Sequence, residues 1–462
     1  MPSHSSRLLI ALVVVLAFVA PHPAAAQDAG PIYIVQEGDT LIGIAFRFGT
    51  TVEALAAANG LADPGAIFPG LQIRIPGFEG VSGVLTTRSV AVGDSLESIA
   101  LRYATPPAFL ARLNRLVTPT RLYVDLPLIV PVDEEAVPVS AEIQIPSEGT
   151  TPLSLAVRTG SNPWIVAALN GDKTQLWHVP FSPRFLPGGT GAVDALPGGV
   201  VSVDLDPIRP VQGDTTVFRV QLAGPGTVAG TLGTRELHFF PEAESGQHVA
   251  LQGIHALQDP GLVEMTLTFA TEAGETFEFV QPVRIEEGDY GREVLSVPAE
   301  TVDPETTGPE DALIAAALAP ASPTKMWSGP FLFPTDYFDS FPSFYGTRRN
   351  YNNTGWSYYH TGLDLYGNRG KPITAPAPGI VVFAGPLTVR GNTTYIDHGW
   401  GVYTGYLHQS EILVEAGQRV EAGEVVGAVG DTGRVTGPHL HWEIWVGGVP
   451  VQPFDWTGRA FP

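Results

Sequence analysis

The sequence predicts a multidomain, mostly β chain: small strand-helix-helix-strand modules first, an immunoglobulin-like β-sandwich in the middle, and a β-rich C-terminal domain. Three observations predict it. The 462 residues suffice for about three or four domains at roughly 100–200 residues each. Glycine (52) and proline (42) are plentiful while helix-periodic stretches are few, which favours strands joined by turns. One stretch near the start is repeated, which marks out separate small units.

Residues 1–26 read as an export signal. Arg7 precedes the apolar run "LLIALVVVLAFVA", and Ala24, Ala25 and Ala26 supply the small side chains a signal peptidase needs, so cleavage is expected before Gln27. The run is shorter than the roughly 20 residues that span a bilayer, which disfavours a permanent anchor. With no cysteine, neither disulfides nor lipidation of a cysteine is available. Export without disulfides fits a bacterial envelope protein, so the expected location is secreted or in the cell envelope, in periplasm or wall. The 47 acidic against 25 basic residues give a formal charge of −22. That excess repels nucleic acid and anionic membrane, and no stable membrane insertion is expected after signal cleavage.

Tyr33 to Pro76 and Arg88 to Pro131 are two copies of one pattern. Each has a short strand, Gly-Asp-Thr/Ser-Leu, Ile-Ala, an Asn, and a closing strand ending in Pro. Capping chemistry supplies the helices: Asp94 with Glu97 and Thr50 with Glu53 read as capping boxes, and Thr105 with Pro106 opens a second helix. Each unit is therefore strand, helix, helix, strand. Both resemble the LysM module, which implies binding of N-acetylglucosamine-containing glycans such as peptidoglycan. Their expected bounds are 31–77 and 87–132. A degenerate third copy is expected at 141–181, where Glu148-Gly149-Thr150 matches the start, Asn170 matches the Asn, and "LWHVP" closes.

From 199 to 298 the pattern alternates. "VEMTLTF" puts Val263, Met265, Leu267 and Phe269 on one face, "TEAGE" turns the chain, and "TTVFRVQL" reads the same way. Several such strands suggest the immunoglobulin-like sandwich. His238, His248 and His255 have no convergent carboxylates here and read as ordinary strand or surface histidines. Residues 299–325, rich in Pro, Thr, Ala and acid, read as a linker with one short helix opened by Thr307 and Glu310.

Residues 326–462 carry the chemistry. "GPHLHWE" places His439 and His441 on one face of a strand, either as metal-site residues or as a polar strand face. In "WSYYHTGLDLYG", His360 and Asp364 are four apart and would share a strand face; the nearby Gly362, Gly367, Gly370 and Pro372 argue against a helix. Imidazole and carboxylate suit Zn²⁺, and three protein ligands with one open position is the arrangement of a catalytic site. Five of the chain's 11 histidines, His360, His398, His408, His439 and His441, fall in this domain.

Taken with "GKPITAPAPGIVVFAG" and "VEAGQRVEAGEVVGAVGDTGRVTGPHLHWE", these motifs make residues from about Ser340 to Asp455 resemble the lysostaphin-like, LytM-type zinc endopeptidases that cleave peptide cross-bridges or stems of peptidoglycan. The resemblance implies a compact antiparallel β fold of the duplicated-hybrid-motif kind with a groove over one sheet. It makes His360, Asp364 and His441 the zinc ligands. It makes His408 and His439 the non-ligand histidines that orient or deprotonate water and stabilise the transition state. Glu443 shares the face of His439 and His441 and is either an orienter of a histidine or structural. His398 reads as structural, and Tyr351, Tyr358 and Tyr359 are candidates to hydrogen-bond the tetrahedral intermediate. "YLHQ" at 406–409 departs from the usual "YAHL", which bears on the groove rather than the chemistry. The partners implied are peptidoglycan glycan strands at the LysM modules and peptides in the groove. The rival reading is a non-catalytic wall-binding activator of another hydrolase. A carrier domain of the lipoyl type, suggested by the "V-x-A-G" strands, conflicts with export and lacks a lysine at a hairpin tip.

Overall fold

The structure, a computed structural model, describes residues 30–118, 122–133, 141–144, 151–170, 184–188, 196, 199–272, 276–319 and 321–462. The expected export signal lies outside them. Among the described residues no single helix is long and apolar enough to cross a membrane. The chain divides into two compact bodies: residues up to 87 together with 129–136, and residues 88–128 together with 137–462.

In the first body Ile32–Ile34 pairs antiparallel with Gln72–Arg74, and helices Leu41–Phe48 and Val52–Asn59 come between them in the chain. Leu41, Ile44, Phe48, Leu55 and Ile73 are buried. The second helix is capped by Thr51, whose hydroxyl accepts from the Ala54 N–H, and not by Thr50. Gly49 is left-handed (φ 66°) and the Thr50 N–H closes the first helix on the Ala45 carbonyl, so Thr50 belongs to a helix end. The second copy shows the same shift by one residue. Helix Leu96–Arg102 is capped by Ser95, which shares a reciprocal box with Ser98; Asp94 instead accepts from the Ala91 N–H and pairs with Arg102. Helix Pro107–Leu113 follows Pro106 with no side-chain cap, because the Thr105 hydroxyl turns back to the Tyr103 carbonyl.

Residues 141–187 also carry two helices, Pro152–Arg158 and Pro163–Leu169, with Ala141–Gln144 paired antiparallel to Arg184–Pro187. The Asn170 side chain binds the Phe185 backbone in both directions (2.8 and 2.9 Å), as Asn59 binds Arg74 (2.8 and 2.6 Å). The expected start at Glu148 and the "LWHVP" closing strand lie outside the described residues; the paired closing strand is Arg184–Pro187.

The sandwich has two four-stranded antiparallel sheets. One runs Arg235–Leu237, Gly226–Leu232, Gly261–Thr271, Thr276–Ile285; the other runs Phe240–Pro241, His248–Gly253, Thr215–Leu222, Val200–Asp206. Met265, Leu267 and Phe269 are buried and Glu264 is exposed, as the alternation predicts. Ala273 to Glu275 of the turn lie outside the described residues. Strand Thr215–Leu222 is buried on both faces. Phe218 and Val220 enter the sandwich core, while Val217 joins the core of the C-terminal domain and Thr215 accepts from Trp456 Nε1 at 2.9 Å.

The C-terminal domain is built on strands β1 (Leu363–Tyr366), β2 (Gly379–Leu387), β3 (Gly391–Gly399), β4 (Val402–Gln409), β5 (Arg419–Val420) and β6 (His439–Val446). They lie in the spatial order β1-β6-β4-β3-β2-β5, every neighbour antiparallel. One face of this sheet, with Leu440, Trp442, Ile444, Val402, Tyr406 and Ile396, packs on Trp327, Phe331, Trp456 and the sandwich residues Val249 and Leu251. The other face presents His441, Glu443 and Trp445 of β6 beside Leu407, Gly405 and Tyr403 of β4.

Within residues 299–325, expected as a linker, one helix lies against that second face. Helix Pro304–Ala317 is opened by Asp303, not Thr307, and its Ile314 and Leu318, one turn apart, are buried with Tyr395, Tyr403 and Leu407. Glu310, read as part of a capping box, is buried and accepts from the Val389 N–H at 2.8 Å. Composition suggested a tether; one apolar pair and one buried acid fasten it down.

Candidate metal centre and groove

β6 carries His439 and His441. Asp364 of β1 lies opposite His441, so the antiparallel register alone aligns the two side chains. His360 arrives differently from the expectation. It is not on a common strand with Asp364, because the chain bends at Thr361 and Gly362 before β1 begins. Gly362 is required there: a Cβ would collide with the Trp442 carbonyl oxygen and the His441 ring.

His360 Nε2, Asp364 Oδ1 and His441 Nδ1 converge, with separations of 2.9 Å (His360–Asp364), 2.8 Å (His441–Asp364) and 2.8 Å (His360–His441). They are the one such donor group among the described residues, and all three side chains are buried. A tetrahedral zinc with bonds of ~2.0–2.2 Å holds its ligand atoms roughly 3.3–3.6 Å apart, so the donors need to part by only about half an ångström. Each imidazole's far nitrogen has an acceptor: His360 Nδ1 donates to the Phe344 carbonyl (3.0 Å), and His441 Nε2 donates to Glu443 Oε1 (3.0 Å). Those bonds fix the tautomers that point lone pairs inward.

Electrostatics also fit a cation. Burial pushes His360 down to about 4. Burial also opposes charge on His441, but hydrogen bonds to Asp364 and Glu443 outweigh it and lift the imidazole to about 9. Burial would raise both carboxylates; His360 and His441 hold Asp364 well below its usual range, and His441 does the same for Glu443. Glu443 also accepts from Tyr395 (2.7 Å), Trp445 (2.8 Å) and Thr361 (2.5 Å).

The other two histidines flank this trio. The His408 ring centre lies 5.1 Å from that of His439 and 6.1 Å from that of His441. Strict alternation would send His408 to the core with Val402, Thr404 and Tyr406. A bulge opposite Thr393, where the register jumps from Thr394↔Tyr406 to Asn392↔Gln409, and a left-handed φ of 62° turn it to the groove instead. Burial pushes His408 down to about 3, with the His441 and His439 charges adding to the fall; its Nδ1–H donates to the Thr432 carbonyl at 2.8 Å. His439 donates from Nδ1 to the Gly437 carbonyl (2.9 Å) and sets Nε2 3.6 Å from Asp364 Oδ1.

His398 is elsewhere: it is buried between the Pro378 carbonyl and the Thr404 hydroxyl, both at 2.8 Å. Gln409, expected to bear on the groove, is fully buried and donates to Thr394 and to the Tyr406 carbonyl, because the bulge sends it into the sheet. The groove has a volume of about 710 Å³ and includes His408, His439, His441, Tyr351, Tyr358 and Tyr359. Three kinds of lining residue were not read from the sequence: Arg349, Arg390 and Arg434; the Leu295 to Thr307 stretch; and His255, whose Nε2 lies 3.3 Å from the Tyr359 hydroxyl. Their partners are distant in the chain, so no local pattern marks them.

Residues 358–453 match the sequence profile of Peptidase family M23, and residues 33–76 and 89–131 match the LysM domain. The chain carries an M23 peptidase domain behind two LysM domains. The DD-carboxypeptidase/endopeptidase Mpg of Neisseria meningitidis serogroup B is 46% identical over 94 residues, 20% of this chain and 22% of that protein. The peptidoglycan DD-endopeptidase ShyC of Vibrio cholerae is 40% identical over 109 residues, 24% of this chain and 25% of that one. This chain thus matches about a fifth to a quarter of the length of these curated relatives. A crystal structure of a Pseudomonas aeruginosa chain described as an M23 peptidase aligns with 28% identity and a TM-score of 0.41, covering 55% of this chain and 96% of that one. M23 metallopeptidases are zinc-dependent, and the M23 domain here holds a His-Asp-His donor set that suits that ion.

Proposed function

We propose that this chain is a zinc endopeptidase of the cell envelope that cuts peptide cross-links or stems of peptidoglycan and is held on the wall by its LysM modules. The convergence of His360, Asp364 and His441 in a groove that also holds His408 and His439 carries this reading. The relatives' names, DD-endopeptidases of peptidoglycan, favour a cross-link between D-configured centres as the bond cut.

His360 Nε2, Asp364 Oδ1 and His441 Nδ1 would hold the ion. When bound, zinc lowers the pKa of a water from 15.7 to about 7 and polarises the scissile carbonyl. The protein's own groups do the rest. Phe344 and Glu443 hold the two ligand imidazoles in register. His408, kept neutral by burial and with Nδ1–H tied to Thr432, offers Nε2 as a proton acceptor beside the attacking water. His439, tied through Gly437, orients the water and the tetrahedral oxygen. As the C–N bond breaks, the proton taken from water is returned to the leaving amine, a relay worth about 10²- to 10⁴-fold. Tyr358, 40% exposed in the groove, is the freest tyrosine to meet the oxyanion, since Tyr351 and Tyr359 are turned to Arg434 and His255. Residues 141–187 supply a third LysM-type unit, supported by the Asn170–Phe185 clasp that copies Asn59–Arg74.

Purified full-length protein should contain one zinc and digest peptidoglycan. His439→Ala should abolish digestion with zinc retained, whereas Asp364→Ala should lose the metal. The inactive His439→Ala protein should still sediment with insoluble peptidoglycan. Normal digestion by both variants would show the site to be misassigned. Zinc-free, non-digesting wild-type protein that still sediments would favour the activator reading.

A further inference from the structure

Three arginines line the groove, and two of them have acidic partners. Arg349 lies 3.6 Å from the carboxylates of Glu293 and Asp364. Arg390 pairs with Glu310 at 3.4 Å and Asp311 at 2.8 Å. Arg434 is held differently. Its Nη1 donates to the Thr301 carbonyl at 2.7 Å, its Nη2 donates to the Tyr351 hydroxyl at 3.3 Å, and its guanidinium carbon lies 4.5 Å from the centre of the Tyr351 ring. All of these partners are neutral, and no carboxylate among the described residues forms an ion pair with it.

A guanidinium withdrawn from water without a counter-charge is unfavourable unless something anionic comes to it. Burial is the chief reason its pKa falls below the ordinary arginine value, and the charges of Arg349 and Arg390 add to the fall. The side chain is nonetheless fixed at its tip by the strand holding Tyr351 and by the segment that follows the sandwich. Arginine has five N–H donors in a planar fork that matches a carboxylate, and the two contacts named leave others for a ligand. In a groove whose occupant is a peptide, the complementary group is a peptide carboxylate. We infer that Arg434 is a specificity residue that binds a free carboxylate of the substrate peptide close to the bond being cut. This rests on the endopeptidase reading above.

The test compares two cross-linked muropeptides, alike except that the carboxylate nearest the cross-link is free in one and amidated in the other. Wild-type full-length protein should favour the free acid in kcat/KM by on the order of 10- to 100-fold, the worth of a charge-assisted pair. Arg434→Gln should bring the ratio close to one at unchanged zinc content, and Arg434→Lys should keep part of the preference. A wild type indifferent to amidation overturns the proposal, as does a zinc-loaded Arg434→Gln protein that keeps the full preference. Calorimetric binding of both peptides to the inactive His439→Ala protein gives a second readout that does not need Arg434→Gln to fold: equal Kd values overturn the inference. Should wild type cut neither peptide, the endopeptidase reading falls, while the calorimetry still decides whether the groove selects the carboxylate.

Discussion

His398 and His408 sit on neighbouring strands as buried imidazoles, and their partners separate their roles. His398 is saturated by Pro378 and Thr404, touches nothing in the groove, and is pushed by burial down to about 4. A histidine whose folded pKa lies below its unfolded value of about 6.5 supports the fold fully above that value. The support is lost as pH falls from there toward 4, where the unfolded chain takes the proton and the folded one does not. The shift corresponds to roughly 3 kcal/mol between neutrality and pH 4. Urea midpoints should therefore show His398→Gln well below wild type at pH 7 and much nearer to it at pH 4.5; a gap independent of pH would contradict the assignment. The trio of His360, Asp364 and His441 was legible by resemblance; periodicity correctly puts His439 and His441 on one strand but not His360 with Asp364, because the chain bends before β1. His408 was legible only by resemblance, since alternation alone points it into the core. Arg434 and His255 were not legible at all, because what gives them meaning is a contact with a residue far away in the chain.

Among the strands, β4 does more than carry His408. Gly405 lies opposite Glu443, and a Cβ there would collide with the Tyr395 ring. The missing side chain lets Tyr395 of β3 cross over β4 and donate to Glu443, which in turn holds His441. Gly405→Ala should displace that ring and loosen the Glu443–His441 bond without touching any of the three converging donors. Zinc affinity should fall about 10- to 100-fold, the usual cost of losing a ligand's outer partner. Competition with a chelator measures it, and unchanged zinc retention would refute the relay. Helix boundaries were the least legible feature. Thr50, Asp94 and Thr105 all looked like caps, but backbone N–H groups at Thr50 and Thr105 had already been claimed by the preceding helix. The 299–325 stretch misled for a related reason: a helix held by two apolar side chains and one buried acid has too little apolar periodicity to separate it from a tether.

At the scale of the molecule, one sheet of the sandwich contributes side chains to the core of the M23 domain. Phe240 stacks on Trp400 with ring centres 5.5 Å apart, and Val249 and Leu251 pack with Trp442 and Trp456. All tryptophans of residues 199–462 lie in the C-terminal domain, so their fluorescence reports on that domain alone. Val220→Asp places a charge at a fully buried position in the sandwich's own core and should cost about 3 kcal/mol or more. The tryptophan melting transition should fall with it, as one event. A transition that stays in place while the sandwich unfolds would mean the two fold independently. The overall class was readable because alternation, turn residues and repeats each point to β structure, whereas the fusion of two layers was not. A strand wet on one side and a strand covered on both can share the sequence "TTVFRVQL".

That doubly covered strand limits how the M23 domain can be trimmed. Excision at residue 326 would strip the coat from Trp456, Val446 and Val451 and leave an oily wound on the excised piece. A fragment that keeps these layers intact must begin ahead of the sandwich, because Val124 and Leu196 are buried in the sandwich core as well.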